Sequence, residues 1–336
     1  MPGYPKSMVK PTISVVIPNW NGLHHLDACL SALRAQVYTD FETILVDNGS
    51  RDESLSFVRQ RFPEVDIVTL DANRGFAGAV NAGLAVAQGE FIALLNNDTL
   101  ADPGWLRAIH CATQEREGYG MWASRVVLFD QPELLDSAGD GMTVAGAPFK
   151  RGHLEMARAF ERDEEVFAPS GAAAVYRRVV IEDAGGLDED FFLIHEDVDL
   201  ALRARLGGHR CRYVAGAIVR HKVNASIGYM SREYVFYGQR NLEYVFWKNF
   251  PAPLLLRLFP AHCLFTLLAL CHFTLRGHGL TFLRAKGAAL AGLPTVWQKR
   301  RSVQTKRRTS AACLLGQLER RWFRTKWRSA REQWPR

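Results

Sequence analysis

Residues 13–50 read ISVVIPNWNGLHHLDACLSALRAQVYTDFETILVDNGS, and the order of patterns within them decides the fold. Ile13 to Ile17 form a short β-rich run closed by Pro18 and Asn21-Gly22; Leu23, Leu26, Leu30 and Leu33 then recur at helical spacing. FETILVDNGS repeats the unit, with a strand ending at Asp47 and Gly49-Ser50 leading into a helix that begins near Asp52.

The alternation continues outward. DIVTL predicts a third strand, and a helix follows the loop DANRG from about Phe76 to Gln88, stopped by Gly89. EFIALL gives a fourth strand ending at Asn96, and Asp102 and Pro103 read as the N-cap and first position of another helix. The stretch from Tyr119 to about Phe167 is richer in loops and hairpin-like pieces. GAAAVYRRVV passes from strand into a helix stopped by Gly185-Gly186. FFLI reads as an apolar strand leading into His195-Glu196-Asp197 and a helix with Val198, Ala201, Leu202 and Leu206 on one face, ended by Gly207-Gly208. CRYVAGAIVRH is a last core strand ending in His221. Such alternation predicts an α/β domain with a mostly parallel sheet flanked by helices, and ligands in such sheets sit beyond the carboxyl ends of the strands. Three polar clusters fall there: Pro18-Asn19, Asp47-Asn48 and Asn96-Asn97-Asp98.

With 336 residues and 48% apolar composition, the chain can bury one large α/β domain and still leave an appendage, which excludes a disordered or disulfide-stapled class. The six cysteines (Cys29, Cys111, Cys211, Cys263, Cys271, Cys313) are scattered and read as reduced thiols of a cytoplasmic protein. The N-terminal MPGYPKSMVKPTIS lacks the apolar core of a secretory signal, so export is not expected. Net charge is +7, and Lys299 to Arg336 hold 13 Lys/Arg against Glu319 and Glu332. Residues 251–275 are apolar, interrupted by Arg257 and Pro260, which favours an interfacial helical hairpin over a span or a core helix. The basic tail, interleaved with Trp297, Trp322, Phe323, Trp327 and Trp334, suits an anionic membrane face better than nucleic acid.

The series ISVVIPNWNG, ILVDNGS, NRGFAGAVNAGL, LLNNDT, GAAAVYRR and GGLDEDFFLIHEDVDLALR, with the final strand to His221, resembles glycosyltransferase family 2. Within that family it is similar to the rhamnosyltransferase-like branch, and the resemblance covers residues 13–228. It implies a GT-A nucleotide-sugar-binding fold over residues 1–245 and a helical, membrane-associating extension over 246–336. It also implies inverting transfer by single displacement from a dTDP- or UDP-sugar, with dTDP-L-rhamnose the leading donor. The implied acceptor is a glycan or lipid-linked saccharide in envelope polysaccharide synthesis, the implied place is the inner face of the cell membrane, and oligomeric state stays open.

Site residues follow from the same resemblance. Asn96-Asn97-Asp98 stands in the place of the family's metal motif, with Asp98 as a ligand to Mn²⁺ or Mg²⁺ and Asn96 a departure that lowers ligand charge. His221 matches a histidine that completes the metal site in relatives. Asp197 is the implied catalytic base, at a helix N-terminus that favours an ionised carboxylate; Glu196 supports the site, and Asp199 caps or pairs locally. Pro18, Asn19, Asp47 and Asn48 are expected to border base and ribose. Arg74, Gly75 and the helix start through Asn81 are expected near base or diphosphate, while Gly78 and Gly83 divide between that role and close packing. A nicotinamide oxidoreductase is disfavoured because GFAGAVNAG does not directly follow the first strand. A donor-binding protein without catalysis is disfavoured by the presence of Asp98, Asp197 and His221.

Overall fold

The structure, a computed structural model, describes residues 10–115, 118–223, 228 and 230–325. Strands β1 (Ile13–Asn19), β2 (Phe41–Asp47), β3 (Asp66–Thr69) and β4 (Phe91–Leu95) alternate with helices α1 (Leu23–Arg34), α2 (Ser54–Arg61) and α3 (Gly75–Val86). After β4 come β5 (Thr99–Ala101), α4 (Trp105–Thr113), β6 (Tyr119–Leu128), β7 (Leu135–Ser137), the hairpin β8 (Asp140–Met142) and β9 (Pro148–Lys150), β10 (Glu164–Val166) and β11 (Ala173–Arg177). The chain ends in α5 (Arg178–Ala184), α6 (Glu196–Leu206), β12 (Arg210–His221), α7 (Arg232–Asn249), α8 (Ala252–Leu275), α9 (Gly279–Thr305) and α10 (Ala311–Gln317).

The central sheet runs β10-β12-β6-β11-β4-β1-β2-β3. β3, β2, β1 and β4 are parallel, β6 and β12 are parallel to each other, and β11 lies antiparallel between β4 and β6. Val15–Ile17 of β1, Ile44–Val46 of β2 and all of β4 are continuous apolar runs because both faces are covered there. Val16, Ile44, Val46, Ile92 and Leu94 pack under α3, whereas Ile13, Val15, Ile17, Leu45 and Phe91 pack under α1, α2 and α4. Gly83 lets α3 approach closely, since a Cβ there would lie 2.5 Å from Val16 Cγ1; Gly78 would likewise meet the Arg74 side chain. Both glycines serve packing.

Two local readings are corrected. The helix expected at Asp102-Pro103 begins at Trp105, because the Asp102 carboxylate accepts from Gly104 N and closes a turn ahead of it. FFLI is not a strand. Glu189–Phe191 form a 3₁₀ turn, and Phe192, Ile194 and His195 take positive φ of 61°, 68° and 73°. Left-handed backbone at such residues is strained and has to be held from outside. Asn241 of α7 does so, its Nδ2 donating to the carbonyls of Phe191, Leu193 and Ile194 at 2.9, 2.8 and 2.7 Å.

Residue 245 falls inside α7, and the C-terminal helices share a core with the α/β body: Phe191, Val198 and Leu202 pack with Val245, Phe246, Leu254 and Leu314. Lys248 of α7 is buried with Nζ 2.6 Å from Asp188 and 2.8 Å from Asp199. Burial alone would raise Asp188, but Lys248 and Lys299 hold it well below the ordinary carboxylate range. Lys248→Ala leaves these buried carboxylates without a central partner, and denaturant unfolding should show a loss of about 3–5 kcal/mol.

α8 runs unbroken through Arg257 and Pro260. The carbonyl that Pro260 leaves without a donor belongs to Leu256, which is 82% exposed on the open side of the helix. Two basic residues expected at a headgroup surface instead serve the fold. Lys299 pairs with Asp188 and Asp190 at 2.5 and 2.6 Å, and Arg300 donates to the carbonyls of Trp247, Lys248 and Phe250, capping α7 with a cation. Trp327, Trp334 and the last basic residues lie outside the described residues.

Candidate functional site

Strand order reverses between β2-β1 and β4, and the crevice beyond the carboxyl ends at such a point is where open α/β sheets bind ligands. Asn19 ends β1 and Asn97 follows β4; the Asn97 Nδ2 donates to Asn19 Oδ1 at 2.7 Å, tying the two strand ends beneath the crevice. A cavity of about 1450 Å³ opens above them. Pro18, Asn19, Asn48, Gly75, Asn96, Asn97, Asp98, Glu196, Asp197 and His221 line it.

The other expected residues lie elsewhere. Asp47 is buried outside the lining, with Oδ2 accepting from Ser50 N and Oδ1 lacking a hydrogen-bond partner. Arg74 pairs with Glu189 at 2.8 Å, and Asn81 brackets Leu187, donating to its carbonyl and accepting from its N–H. Both therefore tie α3 to the segment before α6. Asn48 holds the loop at residues 71–75, donating to Asn73 Oδ1 and Gly75 O and accepting from Arg74 N. Gly75 has φ +73° and touches the strained segment, since a Cβ would lie 2.2 Å from the Phe192 carbonyl oxygen.

Antiparallel pairing of β5 with β12 brings His221 opposite Thr99, and His221 Nε2 lies 3.4 Å from Asp98 Oδ1. His221 Nδ1 donates to Asp136 Oδ2 at 2.9 Å, which fixes the ring's orientation and faces Nε2 toward Asp98. Asp136, unforeseen in the sequence, is fully buried and also bonded to Lys150 Nζ at 2.5 Å. Burial would raise it, but Lys150, His153 and His221 pull it well below its ordinary range. Burial likewise lowers His221, yet Asp136 and Asp98 outweigh it and push the imidazole up to about 9.

These residues fit a divalent cation. Asp98 Oδ1 is buried without a hydrogen-bond partner, and oxygen with imidazole is a hard-to-borderline donor pair. Among the described residues no group of three His, Cys, Asp or Glu forms a cage, so an ion held by Asp98 and His221 would complete its shell with oxygens from outside the protein.

Across the cavity, Asp197 stands in the first turn of α6. Its Oδ2 accepts from Gly171 N at 3.0 Å and its Oδ1 from Val198 N at 2.7 Å. Burial raises Asp197 despite these N–H groups, so the helix terminus does not win outright. Glu196 is pushed well up by burial and by Asp197, and its Oε2 has no hydrogen-bond partner. Asp140, also missed in the sequence, lines the same cavity, and burial together with the Asp197 charge pushes it up to about 7. Asp199 instead pairs with Arg203 at 2.8 Å and accepts from Asn249. Gly171 is a further residue the sequence did not single out. A Cβ there would lie 2.5 Å from Asp197 Oδ2.

Known proteins resemble this chain in sequence and in fold. The Mycobacterium tuberculosis N-acetylglucosaminyl-diphospho-decaprenol L-rhamnosyltransferase is 28% identical over 64% of this chain and 78% of its own length. The Myxococcus xanthus O-antigen biosynthesis protein RfbC is 30% identical over 64% of this chain and 18% of its own. An uncharacterized Nostoc glycosyltransferase is 29% identical over 52% of this chain and 54% of its own; the chain thus matches about half or less of several relatives. Among solved structures, a Pyrobaculum calidifontis mannosyltransferase in complex with GDP-Man and Mn²⁺ superposes with a TM-score of 0.53 at 19% identity, covering 89% of this chain and 86% of that one. S. aureus TarS 1-349 in complex with UDP-GlcNAc gives 0.57 at 18% identity, covering 88% of each. The description "Glycosyltransferase like family 2" matches residues 11–234, two thirds of the chain, so the GT-A-like α/β protein described above belongs to glycosyltransferase family 2.

Proposed function

We propose that this chain transfers a sugar from a nucleotide-diphosphate donor to a hydroxyl acceptor with inversion, residues 1–245 carrying catalysis and 246–336 forming a membrane-associating extension. One observation carries the reading: a single cavity joins the strand-end pair Asp98 and His221 to the carboxylate of Asp197. Inverting displacement needs those two functions on opposite sides of the reacting carbon.

Asp98 and His221 would hold a divalent ion, Mn²⁺ or Mg²⁺, which when bound supplies charge to the leaving diphosphate. Pro18, Asn19, Asn48 and Gly75 border the nucleotide, and Asn96 and Asn97 shape the turn beneath it. Asp197 takes the proton from the acceptor hydroxyl as the new bond forms, and its raised proton affinity brings it nearer working pH than an ordinary aspartate. Support for L-rhamnose from dTDP-L-rhamnose comes from the mycobacterial relative's name, and support for polysaccharide synthesis from that of the Myxococcus relative. Membrane association at the inner face draws on α8, 24 residues with mean hydropathy 1.9 in its most apolar window, of which 22% is buried.

Gly171→Ala should push the Asp197 carboxylate aside. Steady-state kinetics should show kcat lowered about 100-fold, with nucleotide affinity by calorimetry kept within about threefold. Incubating the purified protein with a panel of nucleotide sugars and Mn²⁺ tests the proposal as a whole. Release of the nucleotide from at least one donor is expected, and no release from any donor with either metal would overturn it.

A further inference from the structure

The cavity is larger than the roughly 300–1,000 Å³ usual for one small ligand, and its far wall is of another character. Beyond Asp197 the lining passes onto α8 and the segment after α10, through Phe265, Leu268, Ala269, Phe273, Leu275 and Trp322. Trp322 stands edge-on to Phe265 at 6.0 Å between ring centroids, so the wall is built across two segments far apart in sequence. It does not end at the cavity mouth. Leu275 at the end of α8 is 88% exposed, and Leu264, Leu267, Leu280, Leu283 and Leu290 extend an open apolar face over α8 and α9.

From the proposed transfer reaction and this wall together, we infer that the acceptor is amphiphilic: its hydroxyl end sits at Asp197 and a hydrocarbon chain lies along α8, entering from the bilayer. Two further observations select a membrane lipid as the occupant. Residues 252–318 contain ten Lys/Arg and no Asp or Glu; Lys286, Lys299 and Arg300 are taken up by the fold, and the other seven give these helices a cationic character that complements anionic headgroups. The wall is also continuous with the catalytic cavity, which places one end of any occupant within reach of Asp197. A free polysaccharide end would leave this aromatic and leucine surface bare to water.

The test uses the full chain and n-alkyl β-D-glucosides from butyl to decyl, kept below their micelle concentrations, with binding followed by isothermal titration calorimetry. A methylene that leaves water for an apolar wall strengthens binding by about fourfold. Even partial contact should therefore tighten binding by about 50-fold or more from butyl to decyl. Leu268→Glu and, as an independent lesion, Ala269→Trp should flatten this dependence, whereas Leu267→Glu, exposed on α8 outside the cavity lining, should keep it. Equal binding of butyl and decyl glucosides by the parent protein overturns the inference. So does a chain-length dependence that survives both cavity variants, because the chain would then lie on the outer face alone. Nucleotide release from the donor panel, measured on the same preparation, separates the two layers. Release with flat binding overturns this inference only, and absence of release overturns the reading on which it rests.

Discussion

Asp197→Asn is expected to lower kcat by about 10³-fold or more while changing nucleotide affinity by less than about threefold. The amide keeps the shape of the side chain, and its one oxygen can still accept from either Gly171 N or Val198 N, so one of the two ties at the start of α6 is kept. It cannot take a proton, and general-base catalysis typically supplies about 10²–10⁴-fold. The sign of the pH dependence follows from burial, which raises the Asp197 proton affinity. The carboxyl is protonated and inactive at low pH, so kcat should rise with pH along a limb lying above the ordinary aspartate range, and that limb should vanish in the variant. Single-turnover transfer measured across pH checks this. A variant within tenfold of the parent would remove Asp197 from the role of base.

Asp98→Ala is expected to weaken donor binding by about 100-fold in the presence of Mn²⁺ and to leave the metal-free affinity nearly unchanged. The variant removes one of two protein donors; His221 remains, still oriented by Asp136. Raising Mn²⁺ should therefore recover part of the loss. Calorimetric titration of UDP or dTDP into both proteins, with and without chelator, gives all four affinities. Equal loss with and without metal would assign Asp98 to the fold rather than to the ion.

What could be read from the sequence was whatever lies close along the chain or at the end of a strongly periodic element. Asn19, Asn96 to Asp98 and His221 end strands whose apolar runs are unmistakable, and Asp197 opens a helix with a clear apolar face. Their meeting in one cavity follows once the sheet is parallel and its order reverses at β1. Asp136 was not legible because its tie to the site runs through His221, 85 residues away, across the pairing of β6 with β7 and β12. FFLI misled for a related reason. Four apolar residues look like a strand, but the side chain that dictates their backbone is Asn241, about 50 residues later. Arg74 and Asn81 carry plausible ligand chemistry, yet Glu189 and Leu187 take them up, a competition that no local pattern reveals. The basic run from Lys299 read as a uniform surface, whereas its first two residues are inside the fold because Asp188 and the end of α7 need cations.

The central claim is that the crevice at β1 and β4 binds a nucleotide diphosphate together with a divalent ion, and thermal unfolding tests it most directly. A ligand present at about 100 times its Kd stabilises the folded state by about 2.7 kcal/mol, which for a chain of this size is a rise in Tm of several degrees. UDP or dTDP with Mn²⁺ should give that rise, and either nucleotide with chelator a much smaller one. NAD⁺ should give none. A melting curve unmoved by both nucleotides with Mn²⁺ and with Mg²⁺, or one moved equally by NAD⁺, would contradict the account.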